Sequence, residues 1–195
     1  MATAHETLQQ ALATAEKLEG QTPELEDIRL LQNCNTRLGD IYLDTGDPVK
    51  ALESYRREMR LSERRLSLFP GDGTRLTLAM SHSRVAEPLI TLGDLPGALA
   101  GYRKSVELAD AVIPKHATDP IYLRVRMIGL IWLGNLSGNP RFINLGDTKV
   151  ALQYHRQSLA VAERLPVLEP KSALVRQDFK GAAAEYDKYL AKRPN

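Results

Sequence analysis

Cysteine is almost missing from this sequence: Cys34 is the one copy in 195 residues, so no disulfide can close within the chain. That fits a reducing compartment, and a cytoplasmic protein is expected. Histidine is sparse as well. His5, His82, His116 and His155 are scattered, and none sits at metal-ligand spacing from another His or from Cys34, so neither metal nor cofactor is expected. The formal net charge is only +2, which makes no demand for nucleic acid. Nowhere does an apolar run reach the roughly 18 residues of a membrane-spanning helix. The opening MATAHETLQQ lacks the basic-then-apolar order of a secretory signal. Gly71-Asp72-Gly73 lacks the Lys-Ser/Thr of a phosphate loop and reads as a turn. Cys34 has no His within a turn and reads as an inert buried thiol. With no catalytic motif left, an enzyme is not expected.

What the chain does have is repetition. It is 43% hydrophobic and 26% charged, the balance of a soluble globular protein. Within that balance TGDPVKALESYRR, LGDLPGALAGYRK and LGDTKVALQYHRQ follow one another along the chain. Their anchors are Gly46-Asp47, Gly93-Asp94 and Gly146-Asp147. Ala51, Ala98 and Ala151 sit five residues past each Gly, and Arg56, Arg103 and Arg156 sit ten past it. Tyr55 and Tyr102 sit nine past it, where the third copy has His155. The chemistry is that of a helix–turn–helix: Gly supplies the left-handed residue that ends one helix, and Asp caps the next. Pro48 follows the first cap, at a position where a missing N–H costs nothing.

Apolar residues then recur at helical spacing. In the first copy they are Leu52, Tyr55, Met59 and Leu66; in the second Leu99, Tyr102, Val106, Ala109 and Ile113; in the third Leu152, Leu159 and Ala162. Prolines at 70, 114, 120, 166 and 170 close the units. The helices ahead of each turn are expected over 24–44, 74–91 and 120–137, and each carries a small residue, Gly39, Ala86 or Gly134, expected to face Ala51, Ala98 or Ala151. Pro88 is expected to kink its helix. The expected organisation is a single repeat domain over 1–195: an incomplete leading helix at 5–19, repeats over 24–70, 74–118 and 120–169, and a capping helix over 171–193. The third repeat carries an inserted loop, GNPRFINLGD. The fold class is all-α, a solenoid of about seven or eight helices in antiparallel pairs, because one pair cannot bury its apolar face alone.

Leu38-Gly39, Tyr42, Gly46, Ala51 and Tyr55 fall at the spacing of the tetratricopeptide repeat. The second copy matches at Ala86, Leu89, Gly93, Ala98 and Tyr102, and the third at Leu133-Gly134, Gly146 and Ala151. The chain therefore resembles that family over about residues 25–165. Its period exceeds the family's usual 34 residues by about 13, as longer helices would produce. The array is also similar to long-helix repeats that follow kinase domains in bacterial signalling proteins.

The resemblance implies a protein-interaction module whose first helices line a concave groove for an extended peptide or a helix. Residue by residue it would place Asn33, Arg37, Asp40 and Asp44 there, then Ser83, Arg84 and Glu87, then Trp132 and Asn135. Arg37 and Arg84 are equivalent positions, and stacked arginines suit an acidic partner. The competing reading pairs them with Asp40, Asp44 and Glu87 across the groove. Phe142 in the inserted loop either tucks onto the array or makes a rim contact beside Trp132. Arg56, Arg57, Arg60, Arg64 and Arg65 read as a solvated outer face, with a phosphate or acidic-protein site as the alternative. Three functions stay open: an adaptor, a regulatory or self-associating segment of a signalling protein, and a small-ligand sensor or enzyme with a site between helices. The half-repeat at 5–19 favours a homodimer or a fragment, since an open array end exposes apolar surface.

Overall fold

The computed structural model describes residues 6, 10, 13, 25–139, 143–169, 171–173, 177, 180–184 and 187. Nearly all of the expected leading helix at 5–19, much of the expected cap at 171–193, and Phe142 lie outside the described residues. The described residues form helices and turns, with no strand among them. In order the helices are α1 Leu25–Asp44, α2 Pro48–Leu68, α3 Asp72–Thr91, α4 Leu95–Asp110, α5 Pro120–Gly138, α6 Thr148–Ala162 and the short α7 Leu165–Leu168. A 3-10 turn, Ile113–Lys115, lies between α4 and α5. The chain divides into two compact units, Met1–Asp94 and Leu95–Asn195.

The repeated turn works as its chemistry requires. Gly46, Gly93 and Gly146 all adopt positive φ, at 79°, 82° and 82°. After α1, Gly46 N–H donates to Leu43 O at 3.0 Å and Asp47 N–H to Tyr42 O at 2.7 Å. After α3, Gly93 N–H donates to Ile90 O at 3.1 Å and Asp94 N–H to Leu89 O at 2.9 Å. This paired pattern satisfies the last carbonyls of a helix. Asp47 then caps α2 by accepting from Lys50 N–H at 3.1 Å, and Asp147 caps α6 by accepting from Val150 N–H at 3.0 Å.

The first unit pairs α1 with α2 and α2 with α3. Ile28, Leu31, Cys34 and Leu38 bury the inner face of α1. The buried face of α2 is Ala51, Leu52, Ser54, Tyr55, Glu58 and Ser62. It differs from the expected stripe: Met59 and Leu66 are only half-buried, and three polar residues, Ser54, Glu58 and Ser62, lie on the inside. Gly39 is also used differently. A Cβ there would lie 2.3 Å from Tyr55 Cε1, so the small residue makes room for the aromatic ring rather than for Ala51. α3 runs on through Pro88 to Thr91.

The second unit pairs α4 with α5 and α5 with α6. α5 is its most deeply buried helix, with Leu123, Met127, Leu130 and Leu133 at most 2% exposed. Gly134 repeats the role of Gly39: a Cβ there would meet the His155 ring at 2.5 Å. The inserted loop returns to the end of α5, with Leu145 N–H donating to Leu136 O at 2.9 Å and Asp147 N–H to Ser137 O at 2.8 Å.

Candidate functional site

Helical phase brings polar residues of α1, α2 and α3 to one place in the first unit. Glu58 lies seven residues past Ala51 and Ser62 lies four further, so both share the buried face of α2. A carboxylate inside a helix pair needs donors. Glu58 Oε1 accepts from Ser62 Oγ at 3.0 Å and from Ser81 Oγ on α3 at 2.9 Å. Gln32 on α1 donates from Nε2 to Ser62 Oγ at 2.6 Å, and Arg65 donates to Gln32 Oε1 at 3.3 Å. Arg84 Nη1 stands 3.6 Å from Glu58 Oε1, an ion pair longer than a charge-assisted hydrogen bond. Burial holds the Glu58 carboxyl above the usual carboxylate range, against the pull of the Arg84 charge. Glu58 Oε2 and Arg65 Nε are buried without a hydrogen-bond partner.

Above this network opens a cleft of about 500 Å³. Its charged walls are Arg29, Arg37, Arg65 and Arg84 against Asp40 and Glu58. Four guanidiniums line it with two carboxylates, and Arg29 is also paired with Glu26 at 3.0 Å, so one positive charge is left in excess. Arg37 reaches Asp40 at 3.5 Å across an exposed pair. Asp40 is held in place by Tyr55, whose hydroxyl donates to Oδ1 at 2.8 Å. Burial, then that hydrogen bond to Asp40, pushes the Tyr55 phenol well above its ordinary range. Glu87 is also shifted up, by partial desolvation and by the nearby charges of Asp40 and Asp44.

Of the residues expected to line a groove, Asn33, Arg37, Asp40 and Arg84 line this cleft. Asp44 and Glu87 are exposed and close enough for their charges to interact; Ser83 is half-buried on α3. Arg37 pairs with Asp40, as the competing reading expects, but Arg84 pairs with Glu58 rather than Glu87. Trp132 and Asn135 belong to the second unit. Trp132 stacks on Tyr102, with centroids 5.7 Å apart. Asn135 is 4% exposed and accepts from Asn139 Nδ2 at 2.7 Å. Buried and bonded to the residue that follows α5, it presents nothing to an open groove. Arg56, Arg57, Arg60 and Arg64 are exposed, while Arg65 turns inward to Gln32. Cys34 is buried beside Leu31 and Leu38, which pushes its thiol up. No metal-binding group of three or more His, Cys, Asp or Glu occurs among the described residues, and no described helix is long and apolar enough to cross a membrane.

Sequence reasoning missed Glu58, Gln32, Ser62 and Ser81. A signal for the first was there. Glu58 is twelve residues past Gly46, and the same position in the other copies is Ser105 and Ser158. All three are at most 1% exposed.

Comparison with known proteins places a family on part of this frame. The tetratricopeptide repeat model matches residues 34–68, the end of α1, the Gly-Asp turn and α2. Among solved structures, a de novo designed helical repeat protein, DHR64, is 17% identical, with 96% of this chain and 95% of that chain covered and a TM-score of 0.38. The DHF119 filament is also 17% identical, with 95% and 92% covered and a TM-score of 0.38. No curated protein matches the sequence.

Proposed function

We propose, for a chain whose residues 34–68 match the tetratricopeptide repeat model, that it is a non-enzymatic adaptor whose first unit grips an acidic segment of a partner protein. A repeat of this kind is a protein–protein interaction module. The observation that carries the finer reading is the cleft itself, where Arg29, Arg37, Arg65 and Arg84 outnumber Asp40 and Glu58. A carboxylate side chain entering it meets planar donors suited to bidentate contact. The long separations of Arg37 from Asp40 and of Arg84 from Glu58, 3.5 and 3.6 Å, leave those donors short of a strong internal partner. The test is capture from a lysate of the source cell by wild type and by a folded Arg37→Glu/Arg84→Glu variant. A partner whose acidic segment is held by wild type and lost by the variant supports the reading. A partner held equally by both contradicts it.

A second reading, self-association, draws on the second unit. Ile121 and Ile128 lie seven residues apart on one face of α5 and are 62% and 38% exposed. Sedimentation of wild type and an Ile121→Glu/Ile128→Glu variant decides it: a dimer that becomes a monomer favours this reading, and a monomeric wild type removes it.

A further inference from the structure

Arg84 is asked to hold an acidic partner, yet a carboxylate already lies beneath it. Glu58 is 1% exposed, and the Arg84 side chain is 27% exposed. The hydroxyl protons around Glu58 can be counted. Gln32 donates to Ser62 Oγ, which leaves the one Ser62 proton for Glu58 Oε1. The one Ser81 proton has three acceptors in reach: Glu58 Oε1 at 2.9 Å, Ser62 Oγ at 2.8 Å and Thr77 O at 3.0 Å. An ionised Glu58 draws that proton to Oε1. A protonated Glu58 donates its own proton to Ser81 Oγ instead, and Ser81 then donates to Thr77 O. Each hydroxyl proton finds an acceptor either way, while Glu58 Oε2 lacks a donor. What differs is the charge that Arg84 must answer.

The charged groups around the cleft come from all three helices: Arg29, Arg37 and Asp40 from α1, Arg65 from α2 and Arg84 from α3. Burial disfavours the ionised Glu58, and Arg84 is the charge that opposes this. Glu58 Oε2 is buried with no hydrogen-bond donor, so once Arg84 leaves, the ionised form has only two hydroxyls to support it.

We infer that Glu58 is a proton-linked gate on the cleft: an incoming carboxylate draws Arg84 away from Glu58, and Glu58 binds one proton in exchange. The inference rests on the reading of the cleft as an acidic-segment site. Charge balances across the step, since Arg84 exchanges one carboxylate for another and the proton neutralises the one left behind. Because binding takes up a proton, affinity falls as pH rises through the range between the Glu58 pKa values of the free and bound states.

The test titrates the full chain with a hexa-aspartate peptide by calorimetry, in two buffers of different ionisation enthalpy, from about pH 5.5 to about pH 8, where the peptide stays ionised. Wild type is expected to take up protons on binding, at most one per peptide where uptake peaks, with affinity falling there by up to about tenfold per pH unit. Glu58→Gln keeps the size and removes the charge; it is expected to bind at the low-pH affinity of wild type, with no proton uptake and a flat profile. Binding by wild type without proton exchange overturns the gate and leaves the acidic site standing. Absence of binding at every pH, in both proteins, overturns the site and the gate with it. The proton count on wild type needs no variant, so it decides the matter even if Glu58→Gln folds poorly.

Discussion

The two units are written in the same repeat grammar and use it differently. Five, nine, twelve and sixteen residues past the turn glycine, α2 buries Ala51, Tyr55, Glu58 and Ser62. The second unit buries Ala98, Tyr102, Ser105 and Ala109 on α4, and Ala151, His155, Ser158 and Ala162 on α6. The second unit also has a cleft, of about 370 Å³, but Ile113, Pro114, Leu123 and Val161 make up much of its wall. Its two arginines are occupied: Arg126 by Asp110, and Arg164 by the carbonyl of Ala117. In the first unit Arg29 is paired with Glu26 at 3.0 Å and Arg65 with Gln32, while Arg37 and Arg84 reach their carboxylates only at long range. The difference teaches how one repeat pattern can serve two kinds of interior. Apolar packing around α5 holds the second unit, while the first gives up buried apolar surface for a polar network under an open, positive cleft.

That contrast can be broken by substitution, beginning with the largest effect. Leu123 is fully buried in the second unit, and Leu123→Ala is expected to cost about 2–5 kcal/mol in urea denaturation. A cost under about 1 kcal/mol would mean that α5 is not the anchor described here. Next comes the close approach beneath Tyr55. Gly39→Ala puts a methyl 2.3 Å from the ring and is expected to cost about 1–3 kcal/mol. Gly73→Ala, with nothing within 4 Å, serves as its control and is expected to be neutral or slightly stabilising in the same thermal melt.

Smaller effects probe the polar side. Tyr55→Phe removes the donor to Asp40 and is expected to cost about 0.5–1.5 kcal/mol, read as a fall in Tm. The last difference depends on pH. The Glu58 carboxyl is raised in the folded chain. Its contribution to stability is therefore complete below its unfolded pKa and lost as pH rises through the folded one. Glu58→Gln is expected to melt above wild type at neutral pH, with the gap closing as the solution is acidified toward about pH 4. A variant that melts below wild type at neutral pH would show that the Arg84 pair outweighs burial.

How much of this could be read from the residues depended on how local the chemistry was. The Gly-Asp turns were legible because a positive φ demands glycine and a free helix start demands a cap, needs that two adjacent residues meet alone. The helix boundaries around them followed. Arg37, Asp40 and Arg84 were legible because the repeat spacing puts them on one side of α1 and α3. Glu58 was not, because a carboxylate among Arg56, Arg57 and Arg60 reads as part of a wet face. Only its phase with Ala51 and Tyr55, and its equivalence to Ser105 and Ser158, turn it inward. The partner of Gly39 was missed for a related reason. Spacing marks a close approach, but which side chain fills it depends on how two helices rotate against each other. Asn135 is buried at the end of α5 and bonded to Asn139, a local pairing that no periodicity encodes.

The most direct measurement compares two variants of equal charge. Fluorescence anisotropy of a labelled hexa-aspartate peptide is followed against wild type, Arg37→Gln/Arg84→Gln and Arg56→Gln/Arg57→Gln, each checked by circular dichroism to be folded. The account predicts that the cleft pair weakens binding by about tenfold or more, while the outer pair stays within about twofold of wild type. Equal losses would mean that net charge alone draws the peptide, and a loss confined to the outer pair would move the site out of the cleft and contradict the account.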